Sequence, residues 1–498
     1  MREESNEIKR ESRTNENSRV LRHLNEDLKY DDLEINEENE KKDENVKNEE
    51  QENARETREQ RRKNKRKINF QKIFIFISLI FIMSCVIYYG LRFIKLYKEN
   101  SKTEETKQIA DNIKDDNANN KNFKNIKGDY YFEGKKVNNY VKYSNLLWRI
   151  IKVDKHGNVT IALNENITSQ AKKLADFKQT NVYEWLNKTE SEYSGLFQNI
   201  LNDIPQYLTY TDECNDKIDD TKNITCKKQT KEIYITIPSL NDYVNTGSSN
   251  SFLNNNSYYY LINNGSKNVW CIDNEGKIST SKGDDIIGIK PVITIKNLTK
   301  LKSGNGSLEN PYEFEEQSPS LIGSYVKIDN DMWRVYKESG ENVNLVLDSF
   351  ISVNSIEPEY KYSKVGHTFN TKEVGSLANY LNTRYLNGLK YKNILEDFEM
   401  SNGKYINYDY KEVLKEKVIT KVGLLTVGDI IFDRESTGFY LGSSPQEVEN
   451  MMHIYQGNGK IESQSIMQQE KIIPTISIKK SLIKEYGTKE KPCEVSYE

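Results

Sequence analysis

Apolar and polar positions divide the chain into zones with different patterns. Residues 1–67 carry few aromatic or branched apolar side chains and consist largely of Glu, Arg, Asn and Lys. Such a segment cannot bury enough apolar surface to offset the entropy of ordering, so we expect residues 1–67 to be a disordered tail. Within the tail, Leu21, Leu24 and Leu28 fall on one helical face, which predicts either a transient helix or a short docking helix.

An uninterrupted apolar run follows the tail. Residues 73–91 are 19 residues without a charged side chain, and at about 1.5 Å per residue a helix of this length crosses about 30 Å of hydrocarbon. The run is too long and too far from the N-terminus for a cleaved signal peptide. We therefore predict one transmembrane helix, with its flanks at 68–97. The basic cluster at 61–67 outweighs the sparser basic residues after the helix, which predicts a cytoplasmic N-terminus in the cell membrane.

This topology places the remaining residues outside the cell. Residues 98–123 are polar and show no apolar period, so we expect a stalk there. From residue 124 onward, aromatic and β-branched residues alternate with polar ones in short runs broken by Asn, Gly and Asp. This alternation is typical of strands. The extracellular part is therefore predicted to be α+β and rich in strands.

The strand-rich region contains one pattern twice. The segment NYVKYSNLLWRIIKV at 139–153 matches SYVKIDNDMWRVYKE at 324–338, with its Trp-Arg pair 185 residues further along the chain. Each segment predicts a hairpin that turns at its central Asn. Self-similarity at a fixed offset is stronger evidence for duplication than any single motif.

The Trp-Arg pairs, Trp148-Arg149 and Trp333-Arg334, are expected to be structural anchors. Successive side chains on a strand point to opposite faces, so each indole faces the core while each guanidinium points outward or pairs with a carboxylate. The alternative is that the indoles line a sugar-binding groove.

Three more segments recur in the same order. A helical segment containing an aromatic-Leu-Asn motif recurs at 183–201 and 378–395; a strand-turn-strand segment recurs at 270–278 and 453–461; a Pro-containing strand recurs with Pro291 and Pro474 as anchors. Each copy ends in a Gly-Pro turn and a short strand. We predict two tandem extracellular domains, residues 124–316 and 317–498.

The order of these motifs resembles a domain of unknown function from surface and exported proteins of low-GC Gram-positive bacteria. That family is distantly similar to the C-type-lectin-like fold, which the formylglycine-generating enzymes also use. The first copy departs little, with Lys290 where the family usually has Arg. The second departs more, because His453 replaces a Trp and Lys471 replaces the Gly supplied by Gly288. This divergence predicts a lost or altered surface pocket in the second copy.

The resemblance also implies which residues face a ligand. In lectin-like folds the strand of Trp270 lies near the ligand-facing side, so Trp270 and Asn274 are candidate ligand-facing residues. Formylglycine-generating activity is not implied, because Cys271 and Cys493 do not recur between the copies and match no catalytic pair.

Two further cysteines, Cys214 and Cys226, bracket an acidic loop that we expect only in the first copy. A disulfide between them would contribute on the order of 3 kcal/mol outside the cell, and free thiols are the alternative. The loop carries five acidic residues but lacks the spacing and central Gly of a calcium loop, so a solvated acidic loop is favoured over a metal site.

Charge and motif content restrict the function classes. The net charge is −3, and the only concentrated basic run adjoins the membrane, so nucleic acid is not an expected partner. No known catalytic or cofactor motif is present, and the histidines have no neighbouring ligand residues. We predict a surface protein that binds a glycan or protein ligand without cofactor or catalysis. A surface enzyme acting on cell-wall or glycan material, and a sensor or scaffold acting through the cytoplasmic tail, are the alternatives.

Overall fold

The computed structural model describes part of the chain, which divides into two compact units, residues 1–102 and 103–498. The described residues are 74–78, 82–84, 88, 108–188, 196–201, 204–214, 216–221, 224, 229–314, 320–351, 362–363, 369–402, 404–405, 417–434, 438–445 and 450–497. The predicted cytoplasmic tail, 1–67, and most of the predicted transmembrane run lie outside them.

In the apolar run, the described residues 74–78, 82–84 and 88 are helical. Their large apolar side chains are exposed, with Phe74 at 72% and Tyr88 at 61%. Among the described residues, no helix is both long enough and apolar enough to cross a membrane.

Residues 103–498 form an α+β fold rich in strands and built from several sheets, which confirms the predicted fold class. The helices of the described part are α1 (Ile109–Asp116), α2 (Asn181–Asn187), α3 (Leu196–Ile200), α4 (Ile204–Tyr207), α5 (Leu240–Asn245), α6 (Leu377–Tyr380) and α7 (Leu386–Gly388). A π-helical turn, Leu381–Tyr385, joins α6 to α7. The strands of the first repeat are β1 (Phe123–Ile126), β2 (Asp129–Phe132), β3 (Tyr140–Tyr143), β4 (Leu146–Val153), β5 (Val159–Leu163), β6 (Thr168–Gln170), β7 (Leu208–Thr209), β8 (Thr211–Cys214), β9 (Gln229–Ile233), β10 (Ile235–Thr236), β11 (Tyr259–Asn264), β12 (Val269–Ile272), β13 (Ile278–Ser281), β14 (Ile287–Ile289), β15 (Val292–Ile295) and β16 (Tyr312–Glu313). Those of the second repeat are β17 (Tyr325–Ile328), β18 (Asp331–Ser339), β19 (Asn342–Leu347), β20 (Phe398–Ser401), β21 (Lys404–Tyr405), β22 (Lys417–Thr420), β23 (Val422–Leu424), β24 (Phe439–Tyr440), β25 (Ser444–Pro445), β26 (Met451–Gly457), β27 (Lys460–Ser465), β28 (Pro474–Lys479) and β29 (Cys493–Val495).

The two repeats build their main sheets in the same strand order. In the first repeat the order is β16-β3-β4-β5-β15-β10, with β1, β2 and β7 added at its edges. In the second it is β29-β17-β18-β19-β28-β23. In both sheets the strand that closes the repeat pairs in parallel with the strand that opens it. The duplicated sequence pattern therefore corresponds to a duplicated topology.

A smaller sheet accompanies each main sheet. Its order is β13-β12-β11-β14-β6 in the first repeat and β24-β26-β27 in the second. Two isolated bridges, Phe439 with Lys471 and Ile351 with Ile472, stand in the second repeat where β14 pairs with β11 and β6 in the first. Lys471 thus takes the sheet position of Gly288.

The repeated Trp-Arg hairpins place both indoles in the core. β3 and β4 turn at Ser144-Asn145, where both residues have positive φ, and β17 and β18 turn at Asp329-Asn330. Trp148 and Trp333 are fully buried. Burial of a side chain of this size removes roughly 150–250 Å² from water, so each hairpin anchors its own repeat.

Arg149 departs from the expectation that its guanidinium points outward or pairs with a carboxylate. It is buried between the rings of Tyr140, at 3.9 Å, and Phe252, at 4.9 Å. Its Nε donates to Asn139 Oδ1 at 2.6 Å and its Nη2 to the Val137 carbonyl. Because a guanidinium is weakly hydrated and stacks on aromatic faces, it tolerates this site. Burial lowers the pKa of Arg149 to about 10.

Arg334 does pair with a carboxylate, but the partner comes from the other repeat. Its Nη2 lies 2.7 Å from Glu165 Oε1, and its guanidinium lies 3.6 Å from the centre of the Phe432 ring. Burial alone would lower the pKa of Arg334, and the Glu165 carboxylate outweighs that effect and raises it.

The recurring aromatic-Leu-Asn motif joins each helix to an edge strand of its main sheet. Asn187 Nδ2 donates to the Ile235 carbonyl at 2.8 Å, and Asn187 Oδ1 accepts from Ile235 N at 3.0 Å. In the second repeat, Asn382 makes the same two bonds to Val422, at 2.8 and 3.2 Å. The amide side chain supplies both the donor and the acceptor that a strand neighbour would otherwise supply.

The folded part begins earlier than the boundary at 124, and part of the expected stalk at 98–123 belongs to it. Residues 98–107 lie outside the described residues, but α1 packs through buried Ile109, Ala110 and Ile113. Ile109 N donates to the Thr299 carbonyl at 2.9 Å. Residues at i, i+1 and i+4 share one helix face, which gives this otherwise polar segment an apolar side.

Backbone hydrogen bonds cross between the repeats. Ile431 N donates to the Ile167 carbonyl at 3.0 Å, Tyr258 N to the Asn458 carbonyl at 2.9 Å, and Ile461 N to the Ile286 carbonyl at 2.9 Å. Each repeat therefore completes backbone pairing that the other leaves open, which is a strong constraint for buried groups.

Close backbone approach at this junction requires glycine on both sides. A Cβ on Gly288 would lie 2.4 Å from the Tyr258 carbonyl oxygen, and one on Gly459 would lie 2.6 Å from the same atom. Gly459 also has a φ of +76°. Any larger residue at either position would push the repeats apart.

Side chains add to the junction. Trp185 Nε1 donates to the Gly428 carbonyl at 2.8 Å, and Thr168 Oγ1 donates to the Asp429 carbonyl at 2.6 Å. The Asp433 carboxylate accepts from Asn166 Nδ2 at 3.1 Å and from Asn255 Nδ2 at 2.7 Å.

We predict that Asn187→Ala and Asn382→Ala destabilise the protein by similar amounts. Each removes two hydrogen bonds and leaves a strand N–H and C=O without their side-chain partner, so each should lower the free energy of unfolding by about 1–3 kcal/mol. Chemical denaturation followed by circular dichroism measures the loss. The control is Asn393→Ala, whose exposed side chain bonds the Tyr497 carbonyl and whose loss should cost under about 0.5 kcal/mol. Equal stabilities for all three variants would contradict this role.

Candidate functional site

A hairpin precedes the last edge strand of the main sheet in both repeats. β8 pairs with β9 in the first repeat and β20 with β22 in the second, and the pairs Thr211 with Ile233 and Phe398 with Thr420 hold the same register 187 residues apart. The sequence predicted this loop in the first repeat alone. That expectation is wrong for the hairpin, because the second repeat has one without cysteines.

At the open end of the hairpin the repeats differ. In the first repeat, the rings of Tyr210 and Tyr234 have centroids 4.2 Å apart at an interplanar angle of 37°, and Tyr210 is 50% exposed. At the same positions the second repeat has Asp397 and Lys421, which form an ion pair at 3.7 Å. A hydrogen bond with Tyr210 raises the pKa of the Tyr234 phenol. The pair is an aromatic surface that only the first repeat carries.

A polar cavity of about 270 Å³ lies beneath the first hairpin. Its lining combines charged groups, hydroxyls and amides from β4, β5, the hairpin, α5 and β11: Lys152, Thr160, Thr211, Glu213, Cys214, Ile224, Gln229, Ser239, Asn241, Asp242 and Asn263. The buried residues form the floor, while Gln229 and Asn241 are exposed.

An ion pair organises the floor of this cavity. Lys152 Nζ lies 3.1 Å from Asp242 Oδ1, and the Tyr131 hydroxyl lies 3.3 Å from both groups. Ser239, the N-cap of α5, donates its hydroxyl to Asp242 Oδ2 at 2.8 Å. Burial alone would lower the pKa of Lys152, but the Asp242 carboxylate, with smaller contributions from Tyr131 and Glu213, raises it. Burial and Asp242 raise the pKa of Tyr131 to about 12, so Lys152 is protonated and Tyr131 neutral at physiological pH.

The second repeat keeps the charged pair but fills the corresponding space. Lys337 and Asp429 occupy the positions of Lys152 and Asp242, and Asp429 accepts from Thr426 as Asp242 does from Ser239. Phe398 and Met400, both buried, stand where the first hairpin has Thr211 and Glu213.

The cavity residues were not predicted from the sequence. Lys152, Glu213 and Asp242 lie far apart along the chain, so no local motif marks them. Aligning the hairpins at an offset of 187 residues would have shown the exchange of Glu213 for Met400.

The structure places the two predicted ligand-facing residues apart from this cavity. Trp270 is half-buried, and its Nε1 donates to the Ile218 carbonyl at 2.7 Å, so the acidic loop packs against the indole. Asn274 lies in the turn between β12 and β13, which is roughly 13 Å from Trp270 along an extended strand. The predicted anchors Pro291 and Pro474 are buried at the starts of β15 and β28.

The cysteines divide into bonded and free. Cys214 is disulfide-bonded, whereas Cys271 and Cys493 are free and buried. Cys226 lies outside the described residues, so its pairing with Cys214 stays a prediction. Burial raises the pKa of Cys271 to about 12, which keeps its thiol protonated and unreactive.

The acidic loop and the histidines form no metal site among the described residues, where no group of three His, Cys, Asp or Glu side chains converges. Asp219 instead accepts from the backbone N–H and the hydroxyl of Ser266, which lowers its pKa. His453 is buried beside Ser443, and burial lowers its pKa to about 3, so its ring is neutral. His156 is exposed in a turn, and His23 and His367 lie outside the described residues.

Two buried lysines have lowered pKa values. Burial lowers the pKa of Lys172 to about 7 and that of Lys290 to about 8. Lys172 Nζ donates to Asn264 Oδ1 at 2.8 Å, and Lys290 Nζ donates to the Asn164 carbonyl at 3.2 Å. Both side chains are enclosed by protein, so neither amine faces the cavity under the hairpin.

No protein-family model matches the chain, and searches of curated proteins and of solved structures return no match.

We predict that Lys172 makes the stability of the protein increase with pH. Its pKa is about 7 when folded and about 10.4 when unfolded, so the unfolded chain binds more protons between these values. The contribution is therefore complete above the unfolded pKa and is lost as pH falls to the folded one. Lys172→Met should reduce the rise in the free energy of unfolding between pH 7 and 10 by on the order of a few kcal/mol.

The control for this measurement is Lys173→Met, which changes the exposed neighbouring lysine. Its pH profile, from urea denaturation, should match that of the parent protein. A Lys172→Met profile with the parental slope would contradict a buried, neutral Lys172.

Proposed function

We propose that the chain is a single-pass membrane protein of the bacterial surface, with its N-terminus in the cytoplasm, and that the first of its two extracellular repeats binds glycan. The exposed tyrosine pair Tyr210–Tyr234 is the observation that carries the glycan proposal. No catalytic step is part of it.

Membrane anchoring is supported by the apolar run at 73–91. The described helical residues of the run expose large apolar side chains, including Ile75 and Phe76 at 59% and 65%. Such exposure is unfavourable in water and favourable in lipid. The basic cluster at 61–67 supports the proposed orientation.

A C-type-lectin-like relationship is part of the same proposal. Its support is the motif order described above, together with two α+β repeats whose helices are tied to edge strands by Asn187 and Asn382. Duplication would allow weak sites to act together if both repeats bound, but the loss of the tyrosine pair from the second repeat favours binding by the first.

The chemistry of the tyrosine pair suits a sugar. Each ring offers an apolar face to the C–H groups of a pyranose, and each hydroxyl offers a donor and an acceptor to the sugar hydroxyls. The rings are held against each other, so little side-chain freedom remains to be lost on binding. Tyrosine is also enriched at protein interfaces, which makes a protein ligand the second candidate.

We predict that replacing the pair by its counterpart from the second repeat removes glycan binding. Tyr210→Asp with Tyr234→Lys places at the hairpin base the ion pair that Asp397 and Lys421 form on the same backbone. Full-length protein in detergent micelles would be applied to arrays of glycans and peptidoglycan fragments. The parent protein should bind a subset of them, and the double variant should bind that subset at least about tenfold more weakly, because a stacking face worth on the order of 1.4 kcal/mol or more is lost.

The control is Phe350→Ala, which removes an exposed aromatic ring from the second repeat and should leave the array pattern unchanged. Parental binding by the double variant would remove the tyrosine pair from the account. An array without signal would shift the proposal to a protein ligand.

A further inference from the structure

The cavity under the first hairpin is separate from the tyrosine pair. Thr211 and Glu213 line it, whereas Tyr210 lies at the hairpin base outside the lining. Its volume of about 270 Å³ is below the roughly 300–1,000 Å³ of drug-sized pockets, so its ligand is a single small residue. The inference below uses different residues from the proposed glycan surface and stands or falls independently of it.

Comparison with the second repeat assigns the charges of the cavity. The Lys152–Asp242 pair has its counterpart in Lys337 and Asp429, so this pair belongs to the shared fold. Glu213 has no such counterpart, because Met400 stands at its position. The Lys152–Asp242 pair is internally neutral, and Glu213 therefore gives the first cavity an excess of one negative charge.

Neutral polar groups complete the lining. The hydroxyls of Thr160 and Thr211 and the amides of Gln229 and Asn241 border the space, whereas buried Phe398 takes the place of Thr211 in the second repeat. A buried carboxylate is stabilised by a cationic partner, and hydroxyl and amide groups are satisfied by hydroxyls on the same ligand. An anionic ligand would meet two carboxylates.

We propose that this cavity is a binding site for a small hydroxylated primary amine, whose ammonium group pairs with Glu213 and whose hydroxyl groups bond the amides and hydroxyls around the opening. An amino sugar with a free amine has this chemistry. The second repeat does not bind such a compound, because Phe398 and Met400 fill the corresponding space.

Isothermal titration calorimetry of the full-length protein in micelles tests the proposal with D-glucosamine, D-glucose and N-acetyl-D-glucosamine. The three probes share a ring, and only the first carries an ammonium group. D-glucosamine should bind at least about tenfold more tightly than the other two. Equal affinities for the three sugars, or no binding of D-glucosamine, would overturn the proposal.

Two variants locate the site. Glu213→Gln keeps the side-chain shape and should weaken D-glucosamine binding at least about tenfold, to the level of D-glucose. Thr211→Phe with Glu213→Met installs the residues that the second repeat carries on its own hairpin and should abolish binding, while Tyr210 and Tyr234 remain in place. Glu399→Gln, on the second hairpin, is the matched control and should bind as the parent does. Parental affinity in the Glu213→Gln variant would overturn the assignment, even if the double variant failed to fold.

Discussion

The pairing of backbone groups across the two repeats is the constraint on which the extracellular fold depends. The carbonyls of Ile167 and Ile286 accept from the second repeat, and Tyr258 donates to it. Unpaired, these groups would be buried without partners or the two surfaces would have to separate, and either outcome costs free energy. Residues 103–498 accordingly form one compact unit rather than two beads on a chain.

This constraint explains where the repeats have diverged. The main sheets, the buried indoles, the Asn bridges and the Lys-Asp pairs recur because each holds a repeat together. The hairpins lie away from the shared hydrogen bonds and differ most in chemistry. One hairpin carries two stacked tyrosines above a polar cavity, and the other carries an ion pair above apolar filling. A duplicated scaffold with one specialised hairpin accounts for this distribution.

The sequence predicts what depends on local patterns. The Trp-Arg hairpins, the Pro-initiated strands and the aromatic-Leu-Asn helices could all be recognised, because alternation and spacing determine them. The bridging role of Asn187 could not be predicted, since it depends on a strand 48 residues away. The buried position of Arg149 was also missed, because Phe252, one of the rings around it, is over 100 residues distant. The start of the fold at α1 was missed because three apolar residues in a polar segment give a weak signal.

Hydrogen exchange tests most directly whether the cross-repeat bonds make the repeats one cooperative unit. The measurement compares amide opening in β5 and β19, the central strands of the two main sheets, by mass spectrometry of the full-length protein in micelles. A single cooperative unit predicts the same opening free energy in both strands, equal to that of global unfolding. If β19 opened at a clearly lower free energy than β5, the repeats would be independent domains and the account would be contradicted.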